Sequence, residues 1–159
     1  MIGFEASEII NDTPENVFAF VEDTDLAPLW LIKVTNTEKL TDGPVRAGTR
    51  FRETRMVGKR EVSGLVEISR HDGPPDATEP PYYHSGTSTA MGVKASYHYT
   101  FAAAGKGKTR VSLRCEAIPM NLLGRFMVRG MVGVMKREDS DQLTFLKQAI
   151  EYDDSEDDE

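Results

Sequence analysis

The chain has 159 residues, 39% of them hydrophobic, one cysteine (Cys115) and a formal net charge of −7. That length suits a single domain, no apolar run is long enough to span a bilayer, and one cysteine excludes an intramolecular disulfide. Of the 26 acidic residues six lie in 153–159; the other 20 nearly balance 19 basic ones, so the body lacks the basic footprint of a nucleic-acid binder.

Residues 1–152 are therefore expected to form one domain, and residues 153–159 a disordered acidic tail serving solubility. The first residues show no basic start followed by an apolar core. No signal peptide is expected, and a cytoplasmic protein is the natural reading.

Gly3–Asn11 reads as a strand with Phe4, Ala6, Ile9 and Ile10 as its apolar content. Asp12-Thr13-Pro14-Glu15 then starts a helix: Thr13 can cap it, Pro14 suits its first position, and Glu15 favours the positive end of the dipole. Val17, Phe18 and Val21 share one face. Asp23-Thr24-Asp25 ends this helix and opens a second short one, which tolerates Pro28 in its first turn and gathers Leu26, Leu29 and Trp30.

From Lys33 to Pro119 the pattern is of strands. Val34–Leu40 closes at Asp42-Gly43-Pro44, and Gly48–Val57 turns through Gly58-Lys59 into Arg60–Ser69. Asp72–Asp76 is the strongest loop. Tyr82–Ala90 follows, then Val93–Phe101 and Val111–Ala117, both alternating apolar with polar residues as half-buried strands do. Gly105-Lys106-Gly107-Lys108 between them reads as a turn, because no helix follows to hold a phosphate.

Asn121–Glu151 reads as one amphipathic helix. Leu123, Met127, Met131 and Met135 recur every four residues, and Leu143, Leu146 and Ile150 extend the apolar face. Methionine is soft enough to line an apolar site, although plain core packing is the commoner role for any single one of them. A straight helix of this length would span about 46 Å, against about 40 Å for a compact chain of this size. Met120–Gly124 is therefore expected to be partly loop. Gly130 and Gly133 are expected to lower helix propensity and to permit close approach to a strand or ligand. The whole is an α+β pattern: an antiparallel meander covered by the long helix, with two short helices closing one end.

The strand 48–57 carries the sharpest chemical candidates. Phe51, Glu53 and Arg55 share a parity. If Phe51 faces inward, Glu53 and Arg55 form a buried pair in which Arg55 could hold an anionic group and Glu53 could move a proton. If this end of the strand faces water, they are an ordinary surface bridge. Tyr97 and Tyr99 are expected to face inward with their hydroxyls over an apolar floor. Tyr83 is a similar candidate of undetermined parity, and Trp30 is either a residue of the cavity mouth or core. His84 is the one candidate base in the cavity, whereas His71 is expected to be exposed and His98, alternating with the inward tyrosines, to lie on the outer face. Three scattered histidines and one cysteine show no metal-ligand spacing, and Cys115 reads as an inert core thiol.

Phe4 to Trp30, above all Thr13-Pro14-Glu15-Asn16-Val17-Phe18 with Asp23, Pro28 and Trp30, resembles the START-related, birch-pollen-allergen-like superfamily (SRPBCC). Gly48-Thr49-Arg50-Phe51, Tyr97–Phe101, Thr109-Arg110-Val111, Leu146-Lys147 and Ile150-Glu151 extend the likeness to about residue 151. The branch it resembles is the bacterial polyketide cyclase/dehydrase-like family. The resemblance implies a helix-grip fold, a curved seven-stranded antiparallel sheet wrapping the C-terminal helix around an apolar cavity. It transfers no catalytic motif.

The expected function is binding of a small hydrophobic or amphipathic molecule, lipid-, steroid- or polyketide-like, between sheet and helix. Trp30, Phe51, Arg55, Tyr83, Tyr97, Tyr99, Met127, Met131 and Met135 would line the site. The alternatives are a cyclase or dehydratase using Glu53, Arg55 and His84, and an interaction or co-chaperone-like module. No cofactor, metal, nucleic acid or stable membrane insertion is expected, and the chain would act as a monomer or homodimer.

Overall fold

A computed structural model describes residues 2–156 of the chain. Seven strands form one antiparallel sheet: β1 (Gly3–Ile10), β2 (Val34–Lys39), β3 (Arg50–Val57), β4 (Arg60–Asp72), β5 (Tyr82–Ala90), β6 (Val93–Ala103) and β7 (Thr109–Pro119). Their spatial order is β1-β7-β6-β5-β4-β3-β2. Strands β2 to β7 are thus a meander, and β1 closes against β7. Period-two burial along β7, with Val111, Leu113, Cys115 and Ala117 all buried, fixes which face is inward.

Helix α1 (Pro14–Glu22) starts as the sequence requires. Thr13 Oγ1 accepts from the Asn16 amide at 3.3 Å, and Pro14 occupies the first turn. A short 3-10 helix, Thr24–Leu29, follows. Phe18 is the hub beneath α1, with ring contacts to Tyr82 and Phe101 at 5.7 and 5.4 Å. Around it lies the main core, which takes in Phe4, Ile10, Trp30, Leu113 and Leu146.

The C-terminal helical segment begins at Leu122, capped by the Asn121 side chain accepting from the Gly124 amide at 2.9 Å. The loop expected at Met120–Gly124 is therefore confined to its first two residues. The break falls later, at Ser140–Asp141, and divides the segment into α2 (Leu122–Asp139) and α3 (Gln142–Glu156). Helix α3 continues into the segment expected to be a tail; residues 157–159 lie outside the described residues. The two helices are held differently. α3 buries Leu143, Leu146 and Ile150 against the main core, whereas α2 buries little beyond Val128 in a smaller cluster with Val93 and Ala117.

The glycine expectation is corrected by the packing. Space is open around Gly130 and Gly133, both exposed. The close approach is at Gly124, where a Cβ would fall 1.9 Å from the Gly92 carbonyl oxygen.

Candidate functional site

The inner face of the sheet presents two separate polar groups. The first joins β3, β6 and the end of α2. Phe51 is buried facing inward, so Glu53 and Arg55 follow it to the same side. Arg55 Nε lies 3.4 Å from Glu53 Oε1, an ion-pair distance without hydrogen-bond alignment, and Arg55 Nη2 lies 3.7 Å from Asp139 Oδ1. Tyr97 donates to Asp139 Oδ2 at 3.0 Å. Next to it Tyr99 donates to Gln142 Oε1, and Trp30 packs edge-on to Tyr99 at 6.0 Å.

One guanidinium here faces two carboxyl groups. Burial lifts both the Glu53 and Asp139 carboxyls above their ordinary values; Arg55 opposes this in each case, and the Tyr97 hydrogen bond also opposes it at Asp139. Arg55 goes the other way: burial would lower it, but Asp139 and Glu53 outweigh burial and hold it above its ordinary value. The Tyr97 phenol is pushed up, first by burial and then by Asp139. Such a group can hold a proton on one carboxyl while the other balances Arg55, and its guanidinium can meet an oxyanion. The Arg55 and Glu53 side chains are each 25% exposed, so the group is reachable from solvent. Beside it Trp30, Arg55, Asp139, Gln142 and Phe145 bound a cavity of about 10 Å³, about the room one water needs.

The methionine face leads away from this group. Met127, Met131 and Met135 are half-buried: the first two pack on the Val93–Ala117–Val128 cluster, and Met135 packs on the main core. Inward Val66, Ser88 and Ala95 of the facing strands are also only half-buried.

The second group lies under α1. His84 and His71 rings stand 5.7 Å apart, both against Phe18, and His71 Nε2 meets Glu22 Oε2 at 2.5 Å. His71, expected to be exposed, is therefore largely enclosed: β4 runs on to Asp72, and a bulge after Ile68 brings His71 opposite His84. His84 Nδ1 is buried without a partner. Burial, then His71, pushes the His84 imidazole down to about 4. His84 is thus an enclosed neutral ring grouped with His71 and not with Arg55.

Tyr83 falls outside both groups. Tyr82 is the buried neighbour, donating to Glu15 at 2.8 Å, so Tyr83 takes the outer face with the Arg70 guanidinium 3.8 Å over its ring. His98 is outer as expected, 3.0 Å from Ser85 Oγ. An open trough of about 840 Å³ crosses this face. Its Arg70 and Arg114 are each already engaged by a carboxylate two residues away, Asp72 and Glu116. Cys115 is fully buried and its thiol is pushed up by burial.

The structure brings Trp30, Phe51, Glu53, Arg55, Tyr97 and Tyr99 to one side of the sheet, together with Asp139 and Gln142, which sequence reasoning had not singled out. The signal for Asp139 was present: it is the next rung, four residues on, of the ladder Met127, Met131, Met135.

Residues 1–151 match the family profile described as polyketide cyclase / dehydrase and lipid transport. Among curated proteins, none matches the chain. Among solved structures, a protein from Thermus thermophilus is 19% identical with a TM-score of 0.68, covering 92% of this chain and 94% of that one. The ZhuI aromatase/cyclase from Streptomyces sp. R1128 is 14% identical with a TM-score of 0.68, covering 92% of each chain. A START superfamily protein from Mycobacterium smegmatis is 12% identical with a TM-score of 0.65, covering 94% of this chain and 97% of that one. At these identities the structures establish the helix-grip fold. Family and fold together point to hydrophobic-ligand binding or to cyclase/dehydrase-type function, and no described helix is long and apolar enough to cross a membrane. With nearly its whole length matched, the chain belongs to the polyketide cyclase/dehydrase and lipid transport family.

Proposed function

We propose that this protein binds a small amphipathic molecule between α2 and the facing strands. The apolar body would lie on Met127, Met131 and Met135, and a polar or anionic group would reach Arg55 and Tyr97. The observation that carries this reading is the placement of Arg55, partly exposed between Glu53 and Asp139, at one end of a half-buried methionine face. An apolar surface with a few convergent polar groups is the usual make-up of a small-molecule site. The small enclosed volume beside Arg55 fits a site that widens as the ligand enters.

Two fluorescent probes test it: anilinonaphthalene sulfonate, which is anionic, and N-phenylnaphthylamine, which is neutral. Met131→Glu should abolish enhancement of both while far-UV circular dichroism stays unchanged. Arg55→Met should weaken the anionic probe several-fold more than the neutral one. Undiminished binding by folded Met131→Glu would remove α2 from the site.

The two raised carboxyls favour one further reading, cyclase or dehydratase chemistry with Glu53 and Asp139 exchanging a proton and Arg55 holding an enolate. Turnover of a poly-β-keto thioester that survives both Glu53→Gln and Asp139→Asn would defeat it.

A further inference from the structure

One end of the molecule leaves its large apolar side chains uncovered. Phe126 is 80% exposed and Leu122 69% exposed in the first turns of α2; Leu123, Met120 and Met91 join them. They form one patch because the Met120 amide donates to the Gly92 carbonyl at 2.7 Å, bringing the β5–β6 turn against the start of α2. That turn is Met91-Gly92, with φ of 50° and 73°. A two-residue hairpin turn with both central residues at positive φ ordinarily carries asparagine or aspartate first. Methionine is strained there, yet it stands at the tip and exposed.

The charge around the patch is of one sign. From Ala117 to Arg137 the chain has no acidic residue, in a protein of net charge −7. Arg125, Arg129, Lys136 and Arg137 all lie in this stretch, all are exposed, and none is in an ion pair among the described residues. Helical spacing puts Leu122, Phe126 and Arg137 on the side of α2 opposite the buried Gly124, Val128 and Asp139, and Arg125, Arg129 and Lys136 together along one flank of that side. The outer side of α2 is therefore apolar at its start and basic along its length. Such a face fits the surface of an anionic bilayer: the Phe126 ring, the leucines and the thioethers enter the headgroup boundary and the cations meet lipid phosphates and carboxylates. A second copy would set like charges against each other, and nucleic acid would leave the apolar tip unburied.

We infer that the outer face of α2, with the Met91-Gly92 turn, docks on anionic lipid membranes. This does not rest on the ligand reading, because it uses the opposite side of the helix. Docking would bring the helix that covers the proposed site to a surface holding amphipathic molecules.

The test is co-sedimentation of the full chain with vesicles of phosphatidylcholine and phosphatidylserine in equal parts, against phosphatidylcholine alone. Sedimentation is expected with the mixed vesicles only, and should weaken at high salt. Each of Arg125→Gln and Arg129→Gln should weaken it about fivefold. Phe126→Ser should weaken it as strongly with the fold intact, since the side chain touches little of the core. Leu65→Ser, an exposed leucine on β4, should leave it unchanged. Absence of sedimentation, or equal sedimentation with both vesicles, would overturn the proposal. So would a dimer seen by light scattering that needs Phe126 while vesicles are not bound, or equal losses from Leu65→Ser and Phe126→Ser.

Discussion

Tyr97 donates its phenolic hydrogen bond to Asp139 across 3.0 Å, tying β6 to the last residue of α2. The acceptor is buried, so removing the donor leaves a carboxyl oxygen short of a partner. Tyr97→Phe should cost about 1–3 kcal/mol in urea unfolding. A change within a few tenths would show that water replaces the phenol.

Asp139 and Glu53 also couple stability to pH. Their carboxyls are raised in the folded chain, by burial first, so the folded state holds protons that the unfolded state has already lost. Their ionisation therefore subtracts stability: none is lost below the ordinary carboxyl value, and the loss grows as pH rises through the folded one. Asp139→Asn should flatten that decline in the urea midpoint. An unaltered profile would mean that Asp139 is not a strained carboxyl.

His84 acts in the other sense. Its ordinary value of 6.5 falls to about 4 in the fold, through burial first and His71 second. Between these values the unfolded chain binds the additional proton, so stability present above 6.5 is lost as pH falls towards 4. The loss is on the order of 3 kcal/mol. His84→Leu should remove this dependence, read from urea midpoints across the same window.

Three glycines in one helix should respond with opposite signs. Gly124→Ala drives a methyl into the Gly92 carbonyl and should destabilise by about 1–3 kcal/mol. Gly130→Ala and Gly133→Ala meet open space and should each stabilise by up to about 1 kcal/mol. Thermal unfolding of the three variants separates them, and a common sign would contradict the packing of α2.

The strands were readable because one side of the sheet is dry and period-two alternation records it, as in Val93–Phe101 and Val111–Ala117. The start of α1 was readable because Thr13 and Pro14 act locally. Contacts made across distant segments were not: the His71–His84 pairing depends on a bulge after Ile68, and the side on which Tyr83 lies depends on Tyr82 meeting Phe18 and Glu15. For the candidate site, parity along β3 supplied Glu53 and Arg55. Asp139 was overlooked because a charge on an apolar ladder reads as its end, when its proximity to Arg55 makes it the next member. The break at Ser140–Asp141 likewise follows from α2 and α3 packing on different parts of the sheet, which no local pattern encodes.

Helix α2 is held most firmly at its two ends. At its start Gly124 sits against Gly92 under the Asn121 cap; at its end Asp139 is held by Tyr97 and Arg55. Between them only Val128 is fully buried. A beam supported at both ends deflects at midspan, and midspan here is Gly130 to Gly133, where helical stiffness is lowest. Ligands of different girth would be accommodated by bowing the helix outward there, with neither end released.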